Sequence, residues 1–279
     1  AKRKINNLKI DKYFAFNFNK IFEISATKNE IYKLNEKIDF FSQTLDLEKA
    51  IIALKPILEN ETILKITVDL KPQLHYLDKL NLKIKNVFDL KLGAYLIGGS
   101  KNITSKTNTY FELYEDINQK LENLSLDKLY YEIELPLLYV LFKMEKAGFK
   151  INKYELNELS QKYLLELHEL EQKIQEIAGE PFNLKSPKQL GNILFDKLGL
   201  KTTSKNNKNS TSIDVLNELE DAHEIVPLII RYRKIQKLQS TYIEPYEDLV
   251  KNGGDIIHTV FNQTLTATGR LSSSEPNLQ

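Results

Sequence analysis

The chain contains no cysteine, which excludes disulfides and thiolate metal sites and fits a reducing compartment. No apolar run approaches the length of a membrane span, and no signal peptide is visible. There is no Gly-rich phosphate loop. The histidines, His75, His168, His223 and His258, are scattered, so they form no metal-binding cluster, and no nucleophile constellation stands out. An initiator methionine is also missing. A chain that opens on AKRK is expected to be a piece cut from a longer protein, at both ends.

What remains is an ordinary globular composition, 42% apolar and 28% charged, in 279 residues. That is enough for one large or two ordinary domains with real cores. The net charge of +1 conceals a pattern. Residues 111–136 and 155–180 each carry seven acids against two lysines. Residues 183–212 carry six lysines against one aspartate, and 231–240 carry four basic residues and no acid. A phosphate backbone feels local sign, so overall neutrality does not exclude nucleic acid.

The first third alternates strand and helix signals. YFAFNFN (13–19), IFEISA and EIYKLN read as a meander of short strands. A helix is expected over 47–59, a buried strand at ILKITVDL, and a helix near 72–80, followed by VFDLKLGAYL. Such alternation favours an α/β domain over a sandwich. From Tyr110 the pattern is helical, with one helix over 129–147 stopped at Gly148. Asn152 caps the next, 153–178, which Gly179 ends. Leu156, Leu159, Tyr163, Leu167, Leu170, Ile174 and Ile177 make a heptad-like seam along it. The expected partner is a second long helix, about 226–250, with Pro227 in its first turn and a break near Pro245. An intramolecular pair is preferred to an intermolecular coiled coil, so a monomer is expected. Between them, Ser186-Pro187 opens a short helix and Ser212 is placed to cap another, around a polar, basic, mobile tip. On the second long helix Arg233, Lys237 and Thr241 fall at i, i+4, i+8, and Arg231 and Lys234 at i, i+3. Like charges so spaced repel, a cost most easily borne opposite phosphates.

The last residues, TATGRLSSSEPNLQ, place hydrogen-bonding side chains around one fixed positive charge, a composition that does not suit a core strand. This segment closely resembles the entry to the palm of family A DNA polymerases, the bacterial polymerase I type. EIELPLLYVLFKMEKAGFKIN is similar to the helix that begins that family's thumb, with its E-x-PL and ME-x-x-G landmarks. AGEPFNLKSPKQLGNILFDKLGL, STSIDVL, HEIVPLIIRYRKIQKLQSTYIEP and IHTVFNQTLTATGRLSSSEPNLQ follow in the family's order, covering roughly 131–279. One departure is SKNNKNSTS, where the family often has a Lys-Thr-Gly-Tyr-like run.

The resemblance implies a role for each matching residue. Arg233, Lys237, Ser240 and Thr241 would contact phosphates of a primer–template duplex, with Lys188, Lys205 and Lys208 adding attraction. Arg270 would reach the minor groove near the primer terminus, and all three arginine and lysine anchors, Arg233, Lys237 and Arg270, would line one concavity. Asn262, Gln263, Asn277 and Gln279 would add polar contacts, although Asn262 and Gln263 could instead bond within the protein. Phosphates plus the minor-groove acceptors common to all base pairs suit a protein that must hold any sequence.

Upstream, the family carries a 3′–5′ exonuclease domain of ribonuclease H-like fold, whose clustered carboxylates hold two metal ions. Here Asn17 and Asn19 stand where an Asp-x-Glu pair belongs, and Gln73 where an Asp is expected. A neutral amide is a poor ligand for a hard cation. Asp46 and Glu48 read as a helix cap, Asp116 is a weak match to the third motif, and Asp69 and Asp89 alone make no two-metal site. The expectation is therefore an α/β ribonuclease H-like, degenerate exonuclease domain (1–128), a mostly helical thumb (129–256) and the start of a palm (257–279). No catalytic residue, metal site or cofactor is expected in the chain itself. Mg²⁺ and deoxynucleotides belong to the parent polymerase, in the bacterial cytoplasm at the nucleoid. The alternatives are an active proofreading nuclease and a helical interaction module.

Overall fold

The aromatic run from Tyr13 to Asn17 forms β1, the centre of a five-stranded sheet in the computed structural model, which describes residues 10, 12–18, 22–34, 47–99, 103, 106–202 and 210–278. With β2 (Phe22–Ser25), β3 (Tyr32–Leu34), β4 (Leu64–Thr67) and β5 (Val87–Asp89), the order is β3-β2-β1-β4-β5. The first three strands are the expected antiparallel meander, with Phe16 opposite Ile24. β4 and β5 add in parallel, with Phe14 beside Lys65 and Ile66 beside Phe88. Phe14, Ala15 and Phe16 are all fully buried. Consecutive residues point to opposite faces, so both faces of β1 are covered.

The helix expected over 47–59 is two, Leu47–Ile52 and Lys55–Leu58, because Pro56 lacks the N–H that would continue the first and is accepted only in the first turn of the second. The segment 129–147 is helical, but Leu129–Glu134 is wound wide before Leu135–Ala147. Pro136 cannot donate to the preceding turn, and a widened turn absorbs that loss.

The chain divides into two compact units, 1–147 with 260–274, and 148–259 with 275–279. The boundary expected at 128/129 therefore does not match the packing. Tyr130 and Leu138 lie in the same core as Phe14 and Phe88, which keeps this helix with the first unit. Within that unit Val260–Asn262 pairs antiparallel with Ser272–Ser274. The serine run thus does form a strand, with Ser273 9% exposed, but in a two-stranded ribbon outside the main sheet.

The second unit is built on Lys153–Ala178 and Ile225–Leu238. The Asn152 side chain accepts from the N–H groups of Tyr154 and Glu155, and Gly179 ends the first helix at φ 74°. Ile174 and Ala178 meet Val226, Ile229 and Tyr232 in its core. Leu167, Leu170, Ile174 and Ile177 of the seam pack in this core, whereas Leu159 is 40% exposed and the neighbouring Ser160 is buried instead, accepting from Gln239 Nε2 at 3.2 Å. The second helix continues through a wide turn, Gln239–Ile243, into Glu244–Gly253. Pro245 sits just after that turn, where the break was expected. Ser186 caps Pro187–Gly191 through the Gln189 N–H, whereas Ser212 stands before Ile213–Glu218 without a side-chain capping bond. Phe149–Lys150 and Ile256–Ile257 pair antiparallel and close the unit.

Candidate nucleic-acid interface

Lys188 and Arg233, distant in sequence, line one cleft of about 700 Å³ in the second unit. Lys185, Pro187, Ser210, Thr211, Ser212, Tyr232 and Gln236 also line it, and among the described residues no carboxylate does. Two lysines, an arginine and a row of hydroxyls around an open hollow suit an anion with several oxygens. The Arg233 guanidinium is half-buried and donates to the Thr211 carbonyl and, at 3.0 Å, to Thr211 Oγ1. Burial lowers its pKa from the ordinary arginine value, yet a guanidinium keeps its charge at neutral pH. Arg233 thus anchors the short Ser210–Ser212 segment while remaining a cation on the cleft wall.

Lys237, Ser240 and Thr241 are exposed one to two turns further along the same helical run. Ser240 Oγ donates back to the Gln236 carbonyl at 2.9 Å. Arg231 differs from the expectation of unrelieved repulsion, because its Nε donates to Glu166 Oε1 at 2.7 Å from the facing helix. The hydrogen bond raises the Arg231 pKa and lowers that of Glu166. Sequence spacing along one helix could not reveal an acid supplied by another. It also missed Lys185, Thr211, Ser212 and Gln236 as cleft residues, although the SPKQL and STS runs that flank them were visible. Lys205, Lys208, Asn19, Asp46 and Gln279 lie outside the described residues.

Arg270 belongs to the first unit, in the loop between the ribbon strands, and is exposed. Its carbonyl accepts from Thr266 Oγ1 at 2.6 Å. The amides of Asn262 and Gln263 are engaged within the protein. Asn262 Nδ2 donates to Ser274 Oγ at 3.0 Å, and Gln263 Nε2 to the Glu134 carbonyl at 2.8 Å and to the Glu134 carboxylate. Asn277 is exposed and its carbonyl accepts from Tyr246 OH at 2.7 Å.

The positions that a two-metal nuclease would need hold a different chemistry. Gln73 is fully buried; its Oε1 accepts from Phe18 N at 3.0 Å, and its Nε2 donates to Thr67 Oγ1 at 2.6 Å and the Val68 carbonyl at 2.8 Å. Asn17 Nδ2 lies 3.1 Å from Tyr110 OH. Asp89 accepts from the backbone N–H groups of Asp69, Leu70, Lys91 and Leu92 and caps the helix Leu90–Leu96. Asp69 pairs with Lys91 at 2.7 Å, and Asp116 with Lys120 at 2.7 Å. Gln73 and Asp89 are committed to the fold, Asp69 and Asp116 are paired with lysines, and no cluster of three metal-ligating side chains occurs among the described residues. The two-metal site implied by the family does not fit these residues. Glu48 lies in the first turn of its helix, as a dipole-favoured acid should.

A model described as DNA polymerase family A matches residues 153–279. DNA polymerase I of Bacillus subtilis (strain 168) is 47% identical over 181 residues, 64% of this chain and 21% of that protein. DNA polymerase I of Caldicellulosiruptor bescii is 36% identical over 266 residues, 85% of this chain and 31% of its own length. Among solved structures, the POL domain of Pol1 from M. smegmatis, in complex with DNA primer-template and dNTP, has a TM-score of 0.80 at 25% identity, covering 99% of this chain and 53% of that one. The chain spans 21% and 31% of the lengths of these two curated relatives. No helix among the described residues is long and apolar enough to cross a membrane.

Proposed function

Because this chain belongs to DNA polymerase family A, we propose that it is the part of a DNA-directed DNA polymerase that grips the primer–template duplex. The observation that carries this reading is the cleft where Lys185, Lys188 and Arg233 converge, with no acid among its described lining residues. Side chains of this kind hold phosphates and carry no base information, as a sequence-independent grip requires. Lys237, Ser240 and Thr241 extend the grip along the helix. Arg270 addresses the minor groove, and Asn277 and Gln279 the template. The second unit, from 148 to 259, acts as the body of the thumb, and the residues that follow begin the palm.

The first domain is a ribonuclease H-like scaffold that has lost proofreading chemistry. Its sheet order, an antiparallel meander extended by two parallel strands, supports that fold, and the Gln73 network supports the loss. The chain works as a monomer within a bacterial cytoplasmic polymerase, and nucleotide addition, with its Mg²⁺ and deoxynucleotides, belongs to the longer protein.

Fluorescence anisotropy of a labelled primer–template duplex, titrated with the chain at stepped salt, tests the grip. Affinity should fall steeply, with log K linear in log salt. Binding indifferent to salt would overturn the assignment.

A further inference from the structure

The backbone N–H and C=O of Phe261 are both held by a buried ion pair. The N–H donates to Glu145 Oε1 at 2.7 Å, and the carbonyl accepts from Lys71 Nζ. Lys71 and Glu145 also bond one another; they are 8% and 6% exposed. His75, half-buried, completes the Glu145 carboxylate at 2.7 Å. In an antiparallel ribbon the N–H and C=O of one residue point to the same side. Those of Phe261, opposite Ser273 in register, turn away from the partner strand toward this pair. The two side chains thus provide what another strand would provide. They satisfy a part-buried strand edge with charged partners, whose hydrogen bonds are stronger than neutral ones.

The ribbon is tied at a further point beyond Phe261. Tyr95 OH donates to the Thr266 carbonyl at 2.8 Å, and Thr266 Oγ1 donates to the carbonyl of Arg270. The exposed arginine sits in a loop whose base and middle are both fastened to the first unit.

We propose that Lys71 and Glu145 are positioning residues for Arg270: the pair clamps the Val260–Asn262 strand so that Arg270 is presented in a fixed pose to the duplex. This rests on the duplex-gripping reading above. It gives the scaffold domain a mechanical task in place of its lost chemistry.

The test uses the full chain with Lys71→Met and Glu145→Leu combined, which removes both charges and leaves no buried ion unpaired. Hydrogen exchange should show protection of the Phe261 amide reduced at least tenfold, with the β1 and β4 amides unchanged. Duplex affinity should drop by roughly the tenfold that one charged hydrogen bond commands, and Arg270→Ala alone should lower it by a similar factor. Adding Arg270→Ala to the double variant should then cost less than a further twofold. Unchanged protection of Phe261, or losses that multiply, would overturn the proposal. Tyr95→Phe deletes one hydroxyl and serves where the double variant does not fold. It too should be non-additive with Arg270→Ala, and multiplicative losses there count equally against the clamp. A wild-type chain that binds no duplex sinks the proposed function and leaves Phe261 exchange to decide the clamp alone.

Discussion

Gln73 Nε2 lies 2.6 Å from Thr67 Oγ1, and Thr67 Oγ1 in turn donates to the Phe16 carbonyl at 2.8 Å. A side chain from the helix Leu70–Lys79 thereby links β4 and β1 through one hydroxyl. The link needs a donor at the far end of residue 73, and an amide has one where a carboxylate does not. Gln73→Glu should therefore lose the bonds to Thr67 and Val68 and set a buried charge against carbonyl oxygens. We expect a loss of roughly 3 kcal/mol, read as a lower urea midpoint at unchanged m-value. Stability equal to wild type would mean that the network is not a structural replacement.

The same residues bear on proofreading. With Asp89 capping a helix and Asp69 held by Lys91, single-stranded DNA should survive incubation with the chain in Mg²⁺ or Mn²⁺. Digestion that disappears in Asp69→Ala would restore the nuclease reading.

Asp89 also sets a pH dependence. Burial pushes its carboxyl up to about 6, against four backbone N–H groups that favour the ionised form. The folded pKa lies above the unfolded one, so the stabilisation from protonation is fully present below about pH 4. It is lost as pH rises through about 6. The predicted span is on the order of 1–3 kcal/mol. Chemical denaturation between pH 4 and 7 should show this decline, and Asp89→Asn should flatten it.

Much of this was legible in the sequence, for reasons that differ by element. Asn152, Gly179 and Ser186 set helix ends by local geometry, and local geometry is what a sequence displays. Lys188 and Arg233 were readable as basic residues but not as neighbours, since their meeting depends on how the small helices return to the long one. The partnership of Arg231 with Glu166 and of Lys71 with Glu145 was invisible, because each joins segments far apart in the chain. The pattern also put Leu159 on the seam. There the straight heptad loses to packing, and Ser160 with Gln239 takes the buried place. The helix Leu135–Ala147 was assigned by motif to the thumb, whereas its apolar face packs in the first core.

Arg233 offers a way to separate grip from scaffold. Arg233→Lys keeps the charge but loses the fork that holds both Thr211 oxygens. Its salt slope for duplex binding should match wild type, while stability falls by about 1 kcal/mol. Arg233→Ala with Lys237→Ala should flatten the slope by about one unit for each phosphate no longer neutralised. Equal slopes in all three proteins would remove Arg233 and Lys237 from the interface.

Gly148 explains the last landmark of the ME-x-x-G run. Its φ is +66°, and an added Cβ would stand 2.8 Å from the Ile257 carbonyl oxygen and 2.6 Å from Ile256 Cγ2. The first approach is to backbone in the ribbon Phe149–Lys150 with Ile256–Ile257, which cannot swing aside as a side chain end can. Gly148→Ala therefore meets two penalties together, the left-handed backbone and the clash. About 1 kcal/mol for the first and a similar amount or more for displacing the strand give a loss of about 2 kcal/mol. Because the strain falls where the long helices of the second unit are joined, exchange should speed up first at the Ile151 amide, which donates to the Asp255 carbonyl at 2.8 Å. A Gly148→Ala chain with wild-type stability and unchanged Ile151 exchange would show that the turn relaxes without cost, and that the glycine is not required by the close approach of these strands.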